Sequence, residues 1–269
     1  MGILNVTPDS FSDGGRFFSV DDAVARAETI LSEGGDIIDV GGESTRPQGA
    51  TPVDVAEERR RVLPVVGAIV QRFPEAIVSV DTVKSGVAEG GLAEGAAIVN
   101  DVSAFRLDSR MADVCARAGA GVILMHSRGG VSDMGTFAHA DYGGDVVGEV
   151  LDELASRVEE AGRAGVRREA IALDPGIGFA KRTEHSLAVL AGLRRIVDTG
   201  FPVLVGVSRK RVIGAITNVR DPEQRLYGTI GANVMALAAG ARIFRVHDVA
   251  AARQALDVAW AILQRENDG

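Results

Sequence analysis

Eight short apolar runs punctuate this chain, and a stretch with helical periodicity separates each run from the next. The runs fall at roughly residues 1–7, 36–42, 77–82, 97–103, 121–127, 171–176, 202–208 and 242–248. Ile37-Ile38-Asp39-Val40 and Val203-Leu204-Val205-Gly206-Val207 are typical. Parallel strands covered on both faces read this way, as near-continuous apolar runs rather than clean alternation. A strand–helix unit repeated eight times predicts a closed (β/α)8 TIM barrel. The 269 residues suit one such barrel, so a single domain over 1–269 is expected.

The intervening segments are amphipathic. Val20, Ala23, Val24, Ala27, Ile30 and Leu31 fall on one face of the first, and Ser19 with Asp22 resembles a capping box. Val147, Val150, Leu151, Leu154 and Val158 form a similar stripe in the fifth; Val249, Leu256, Trp260 and Leu263 do so in the last. Glycine recurs where helices should end, at Gly34, Gly95, Gly119, Gly165, Gly200 and Gly240. A residue in the left-handed conformation closes a helix C-terminus, and glycine reaches it most easily.

A barrel of this kind carries its chemistry at the C-terminal ends of its strands. Here the apolar runs end in Asn5, Glu43-Ser44-Thr45-Arg46, Asp81, Asn100, His126, Asp174, Ser208-Arg209-Lys210, and Arg245 with His247. Arg245 and His247 are two apart, so within a strand they share one orientation. A buried Arg there must meet an anion or a carboxylate, and an internal Arg–Asp pair is the plain alternative to a ligand. Asp81, Asn100 and Asp174 supply acceptors and an amide that both donates and accepts, which suits a flat nitrogen heterocycle. Arg46 and the cations of the last two strands suit phosphate.

Net charge and cysteine content narrow the partners. A charge of −8 argues against nucleic acid, and no apolar run approaches the ~20 residues of a membrane span. Cys115 has no second cysteine to bridge, and no secretory segment precedes the first strand, so a cytoplasmic location is expected. Three strand-to-helix segments are long: 7–19, 43–52 and 127–142. The first two read as mobile loops over a site. His126, His139, His185 and His247 lack paired ligand spacing, which argues against zinc. A Mg2+ held by one amide and substrate phosphates would leave little trace.

The motifs Asn5-Val6-Thr7-Pro8-Asp9-Ser10-Phe11-Ser12-Asp13-Gly14-Gly15, Gly42-Glu43-Ser44-Thr45-Arg46-Pro47, Asp174-Pro175-Gly176-Ile177-Gly178-Phe179, Ser208-Arg209-Lys210 and Arg245-Val246-His247-Asp248 occur in this order. Together they resemble the dihydropteroate synthase family of folate biosynthesis, a sulfonamide target, over nearly the whole chain. The resemblance implies a transferase that joins 6-hydroxymethyl-7,8-dihydropterin pyrophosphate to p-aminobenzoate, forming 7,8-dihydropteroate and releasing pyrophosphate.

Carried over residue by residue, it implies that Asp81, Asn100, Asp174 and Lys210 bind the pterin, with Met125 beside it. Asn5 meets Mg2+ on the pyrophosphate, which Thr45, Arg46, Arg245 and His247 hold. Phe179, Pro47 and Thr45 border the p-aminobenzoate pocket, while Asp9, Phe11 and Asp13 lie on the first mobile loop. Asp81, Lys210, Arg245 and His247 are the implied catalytic set, in a substitution where pyrophosphate leaves before the amine attacks. A homodimer through helices late in the barrel is also implied.

The chain departs from the family in two places. Met1 stands inside the first strand, where a segment ordinarily precedes it, and Thr45-Arg46-Pro47-Gln48-Gly49 is one residue longer than the usual Thr-Arg-Pro-Gly. Two rival readings differ in what they need. A methyltransferase barrel acting on methyltetrahydrofolate would share the pterin contacts but needs no pyrophosphate cluster. A non-catalytic paralogue would have lost part of the reactive set. Arg46, Arg245, His247 and the first loop favour the synthase.

Overall fold

The eight expected strands all form, each shorter than its apolar run. They are β1 (Gly2–Asn5), β2 (Ile37–Gly41), β3 (Ile77–Asp81), β4 (Ile98–Asp101), β5 (Gly121–Met125), β6 (Ile171–Asp174), β7 (Leu204–Val205) and β8 (Ile243–Phe244). The computed structural model describes residues 1–7, 19–43 and 53–267. Six helices each follow one strand: α1 (Val20–Ser32), α2 (Val55–Arg72), α3 (Ser85–Ala93), α4 (Met111–Ala118), α5 (Val146–Arg163) and α10 (Val249–Asn267). The β6–β7 crossover holds two, α6 (Thr183–Ala191) and α7 (Leu193–Val197), and the β7–β8 crossover holds α8 (Arg211–Thr217) and α9 (Leu226–Ala238).

β1 to β6 form one parallel sheet in chain order, and β7 pairs with β8. Two bridges join these pieces into a barrel. Leu173 pairs with Val203, and Gly2 pairs with Val246. The second junction is a pair of 3.0 Å hydrogen bonds, Ile3 N to Val246 O and Val246 N to Met1 O. Closure leaves no open edge between first and last strand.

Strand alternation divides the core in two. Outward residues such as Leu4, Ile38, Val40, Val80 and Leu124 pack against Ala23, Ala27, Ile30, Val65, Val150 and Leu154 from the helices. Burying each large aliphatic side chain contributes on the order of 1.5–3 kcal/mol. Met1, Ile123, Ala172 and Leu204 form a separate cluster with Ile37, Ile98 and Ile243 against it. Ile98, Ala172 and Ile243 each precede a site residue by two, so this cluster fills the barrel beneath the site.

The helix signals hold with two adjustments. All six helix-ending glycines have positive φ, from +63° at Gly119 to +108° at Gly240. Ser19 caps α1 by accepting from Asp22 N at 3.0 Å, but its return bond runs from its hydroxyl to Asp22 Oδ2 at 2.7 Å. It is a side-chain cap rather than a full capping box. Trp260 leaves the buried stripe of α10: it is 40% exposed and carries the Arg242 guanidinium 4.7 Å from its ring centre.

Candidate active site

Strand register assembles the mouth of the barrel. Asn5 pairs with Gly41, Gly41 with Asp81, and Asp81 with Asn100. Residues side by side in a parallel ladder project to the same face, so these side chains leave one level of the wall together. Gly41 in this row makes room. A Cβ there would lie 3.4 Å from Asp81 Cβ and 3.7 Å from Asn5 Oδ1. Met125 and Asp174 pair on the next two strands.

One layer deeper, Asp39 organises the row. Its Oδ2 accepts from Arg245 Nε at 2.6 Å and from Asn100 Nδ2 at 3.1 Å. Arg245 Nη2 also donates to Asp81 Oδ2 at 2.6 Å. Arg245 is only partly buried, and the carboxylate expected beside it is present twice. A guanidinium has five N–H donors, and these two bonds leave others available to an anion. Burial works against the charge on Arg245, but Asp39 and Asp81 together raise its pKa. Burial pushes Asp81 up to about 7, with Arg245 opposing and Asp39 adding to the rise. Asp39 went unremarked as a site residue because it lies inside an apolar run. The signal was there: an acid in mid-strand with the parity of Gly41.

A second group forms around β6. Asp174 Oδ1 accepts from Gly176 N at 2.7 Å; burial raises the carboxyl pKa, and Lys210 opposes. Lys210 donates to Ile177 O and lies 4.4 Å from the Phe179 ring centre. Burial lowers its pKa to about 8, against the pull of Asp174. Met125 packs with Val83, Val102 and Met134, and Phe179 rests against them. Lys210, through Phe179, adjoins this apolar wall. Val83, Val102 and Met134 come from loops, where no periodicity marks them.

The cationic run after β7 divides. Arg209 makes a bidentate pair with Asp248, at 3.0 Å and 2.6 Å. Arg211 donates to Gly135 O at 2.5 Å and stacks on Phe137. Both hold the scaffold together, leaving Lys210 as the cation of that run beside Asp174. Ser208 accepts from His247 N at 3.2 Å, and its Oγ lies 2.9 Å from His247 Nδ1. In the tautomer where the Ser208 hydroxyl donates to Nδ1, the imidazole hydrogen lies on Nε2 and that edge is a donor.

Other strand-end residues take structural roles. Glu43 accepts from Val53 N at 2.7 Å and pairs with Lys84 at 3.0 Å; Lys84 in turn meets Glu58 at 2.5 Å. His126 is buried and turns towards Glu153 of α5 and Lys181. Asp9, Phe11, Asp13, Thr45, Arg46, Pro47 and Gln48 lie outside the described residues. Among the described residues no group of three or more His, Cys, Asp or Glu could hold a metal ion. The single amide of Asn5, beside Asp81, is a donor set that fits Mg2+ only with water and phosphate completing its shell.

Known proteins resemble this chain closely in sequence and fold. The family model described as "Pterin binding enzyme" covers residues 1–247. A dihydropteroate synthase of Synechocystis is 44% identical over 262 residues, spanning 97% of this chain and 89% of the relative. A structure of Xanthomonas albilineans dihydropteroate synthase with 4-aminobenzoic acid has a TM-score of 0.90 at 44% identity, covering 98% of this chain and 92% of that one. The same enzyme with 7,8-dihydropteroate gives a TM-score of 0.87 at 42% identity, with the same two shares. The chain belongs to the pterin binding enzyme family, among the dihydropteroate synthases.

Proposed function

We propose that this chain condenses 6-hydroxymethyl-7,8-dihydropterin pyrophosphate with p-aminobenzoate, giving 7,8-dihydropteroate and pyrophosphate in folate biosynthesis. One observation carries the assignment of roles: the Arg245 guanidinium and the carboxylates and amide of Asp39, Asp81 and Asn100 are bonded together at one end of the barrel. A site with that chemistry can hold a donor–acceptor heterocycle and an anionic leaving group side by side.

Asp174 offers its carboxylate to the N–H edge of the pterin, and Asn100 can both donate and accept at the ring. Met125 and the residues around it cover the ring face. Arg245, through its remaining N–H groups, and His247, through Nε2–H, are suited to the pyrophosphate, along with Thr45 and Arg46 of the second loop. Asn5 would hold Mg2+, which when bound offsets negative charge on the pyrophosphate.

The methylene C–O bond breaks with its electron pair going to pyrophosphate, and fixed positive groups stabilise that charge as it develops. The electron-rich pterin carries the resulting cation, with Asp81 close to it. The p-aminobenzoate amine then forms the C–N bond, and the resulting ammonium releases its proton to solvent. Phe179, with Pro47 and Thr45, borders the pocket for that second substrate. Asp9, Phe11 and Asp13 belong to a first loop that would cover the reacting centre.

We further read the protein as a cytoplasmic homodimer. Tyr227 and Met235 on α9 and Val258 and Ile262 on α10 are exposed apolar side chains, which supports an association surface on these late helices. No helix among the described residues is long and apolar enough to cross a membrane.

The direct test mixes the protein with dihydropterin pyrophosphate, p-aminobenzoate and Mg2+ and follows dihydropteroate by chromatography. Product formation that needs both substrates is expected. Transfer of a methyl group from methyltetrahydrofolate to a corrinoid acceptor, with no dihydropteroate formed, would favour the methyltransferase reading.

A further inference from the structure

Lys181 is 1% exposed and was not among the expected site residues. Its Nζ lies 2.7 Å from His126 Nδ1, 3.2 Å from Gly176 O and 3.2 Å from Phe179 O. An ammonium has three N–H donors and here it meets three acceptors. With Nδ1 accepting, the His126 hydrogen resides on Nε2, 3.1 Å from Glu153 Oε2 although poorly aligned with it. Burial, reinforced by the Lys181 charge, lowers the His126 pKa to about 4, so the ring is a neutral acceptor near neutral pH. Burial lowers the Lys181 pKa to about 7, with Asp174 and Glu153 opposing and Lys210 and Arg128 adding to the fall; the three acceptors hold the protonated form, and the Tyr142 ring lies 5.9 Å away.

What these bonds grip is a turn in unusual backbone conformations. Gly176 has φ +67° and Gly178 φ +80°. Ala180 is a non-glycine residue at φ +46°, and its N–H donates to Met134 O at 2.7 Å. Conformations of this kind persist where the surroundings over-determine them. Lys181 holds the turn through the Gly176 and Phe179 carbonyls. Lys210 holds it from the active-site side, through Ile177 O and the face of Phe179.

We infer that Lys181 is a positioning residue for the second substrate: seated on His126, its ammonium fixes the Gly176–Phe179 turn and with it the aromatic wall of the p-aminobenzoate pocket. The inference rests on the reading of Phe179 as that wall.

A double-mutant cycle separates the two ideas. Lys181→Met, Phe179→Ala and the double variant are compared by steady-state kinetics, after circular dichroism confirms folding. In Lys181→Met the KM for p-aminobenzoate should rise about tenfold, while that for the pterin pyrophosphate stays within about twofold. Phe179→Ala should raise the same constant, and the double variant should be no worse than Phe179→Ala alone. Independent, multiplying effects, or equal rises for both substrates, would overturn the positioning role while leaving Phe179 in place. No change in Phe179→Ala would instead overturn the wall assignment and the inference with it. Should Lys181→Met not fold, His126→Leu replaces it in the cycle, leaving the ammonium but removing its imidazole acceptor. A rise of about threefold, again absent on the Phe179→Ala background, is then expected, and an unchanged constant counts against the inference.

Discussion

Arg245 Nε lies 2.6 Å from Asp39 Oδ2, joining the eighth strand to the second across the barrel interior. Asp39 has no exposed surface, and its Oδ1 makes no hydrogen bond among the described residues. Breaking a fully buried pair costs about 3–5 kcal/mol, but Arg245 is partly exposed and keeps Asp81, so a loss of about 1–3 kcal/mol remains. Asp39→Ala is therefore expected to lower folding stability by that amount in urea denaturation. A midpoint equal to that of the parent protein would mean Asp81 alone can neutralise Arg245.

Arg245→Ala separates the guanidinium's two duties. It should weaken binding of the pterin pyrophosphate by about 1.5–3 kcal/mol more than binding of a pterin without phosphates, since only the first loses a charged hydrogen bond. Calorimetry with both ligands measures the difference. Equal losses would make Arg245 a counter-ion for Asp39 and Asp81 and nothing more.

The pH dependence of kcat/KM for the pterin substrate should be bell-shaped. Asp81, raised by burial to about 7, is proposed to act as the carboxylate, so activity should increase as pH rises through that value. Lys210, lowered by burial to about 8, acts as the ammonium, so activity declines as pH rises further. Asp81→Asn should be slower and lose the acid limb; Lys210→Met should lose the alkaline one. A profile whose acid limb survives in Asp81→Asn assigns that limb to another group.

Gly176→Ala should be among the most damaging small substitutions in the chain. The added Cβ would lie 1.9 Å from His126 O, a backbone atom, at a residue whose φ is +67°. The left-handed conformation alone costs on the order of 1–3 kcal/mol for a non-glycine residue, and the clash adds to it. Because Gly176 N also bonds Asp174, pterin affinity should fall together with the melting temperature. Parent-like values for both would show that the turn can rearrange.

Local pattern was enough to find eight strands, the glycines that end six helices, and the polar residues at the strand ends. Both signals are short-range: apolar runs mark strands buried on two faces, and parity within a strand sets which side chains share a face. Asn5, Asp81, Asn100, Asp174, Lys210, Arg245 and His247 were legible for that reason, whereas Met125 and Phe179 were named only through the family resemblance. Which of them bond to one another was not. Arg245 chooses Asp39 from 206 residues away, while Arg209 pairs with Asp248 and Lys210, its chain neighbour, turns to Phe179. Likewise Val83, Val102 and Met134 meet Met125 from three separate loops, and Lys181 reaches His126 across the β6 turn. Barrel closure and strand register decide these pairings, because they bring residues distant along the chain to one height on the inner wall, and no local period encodes that height.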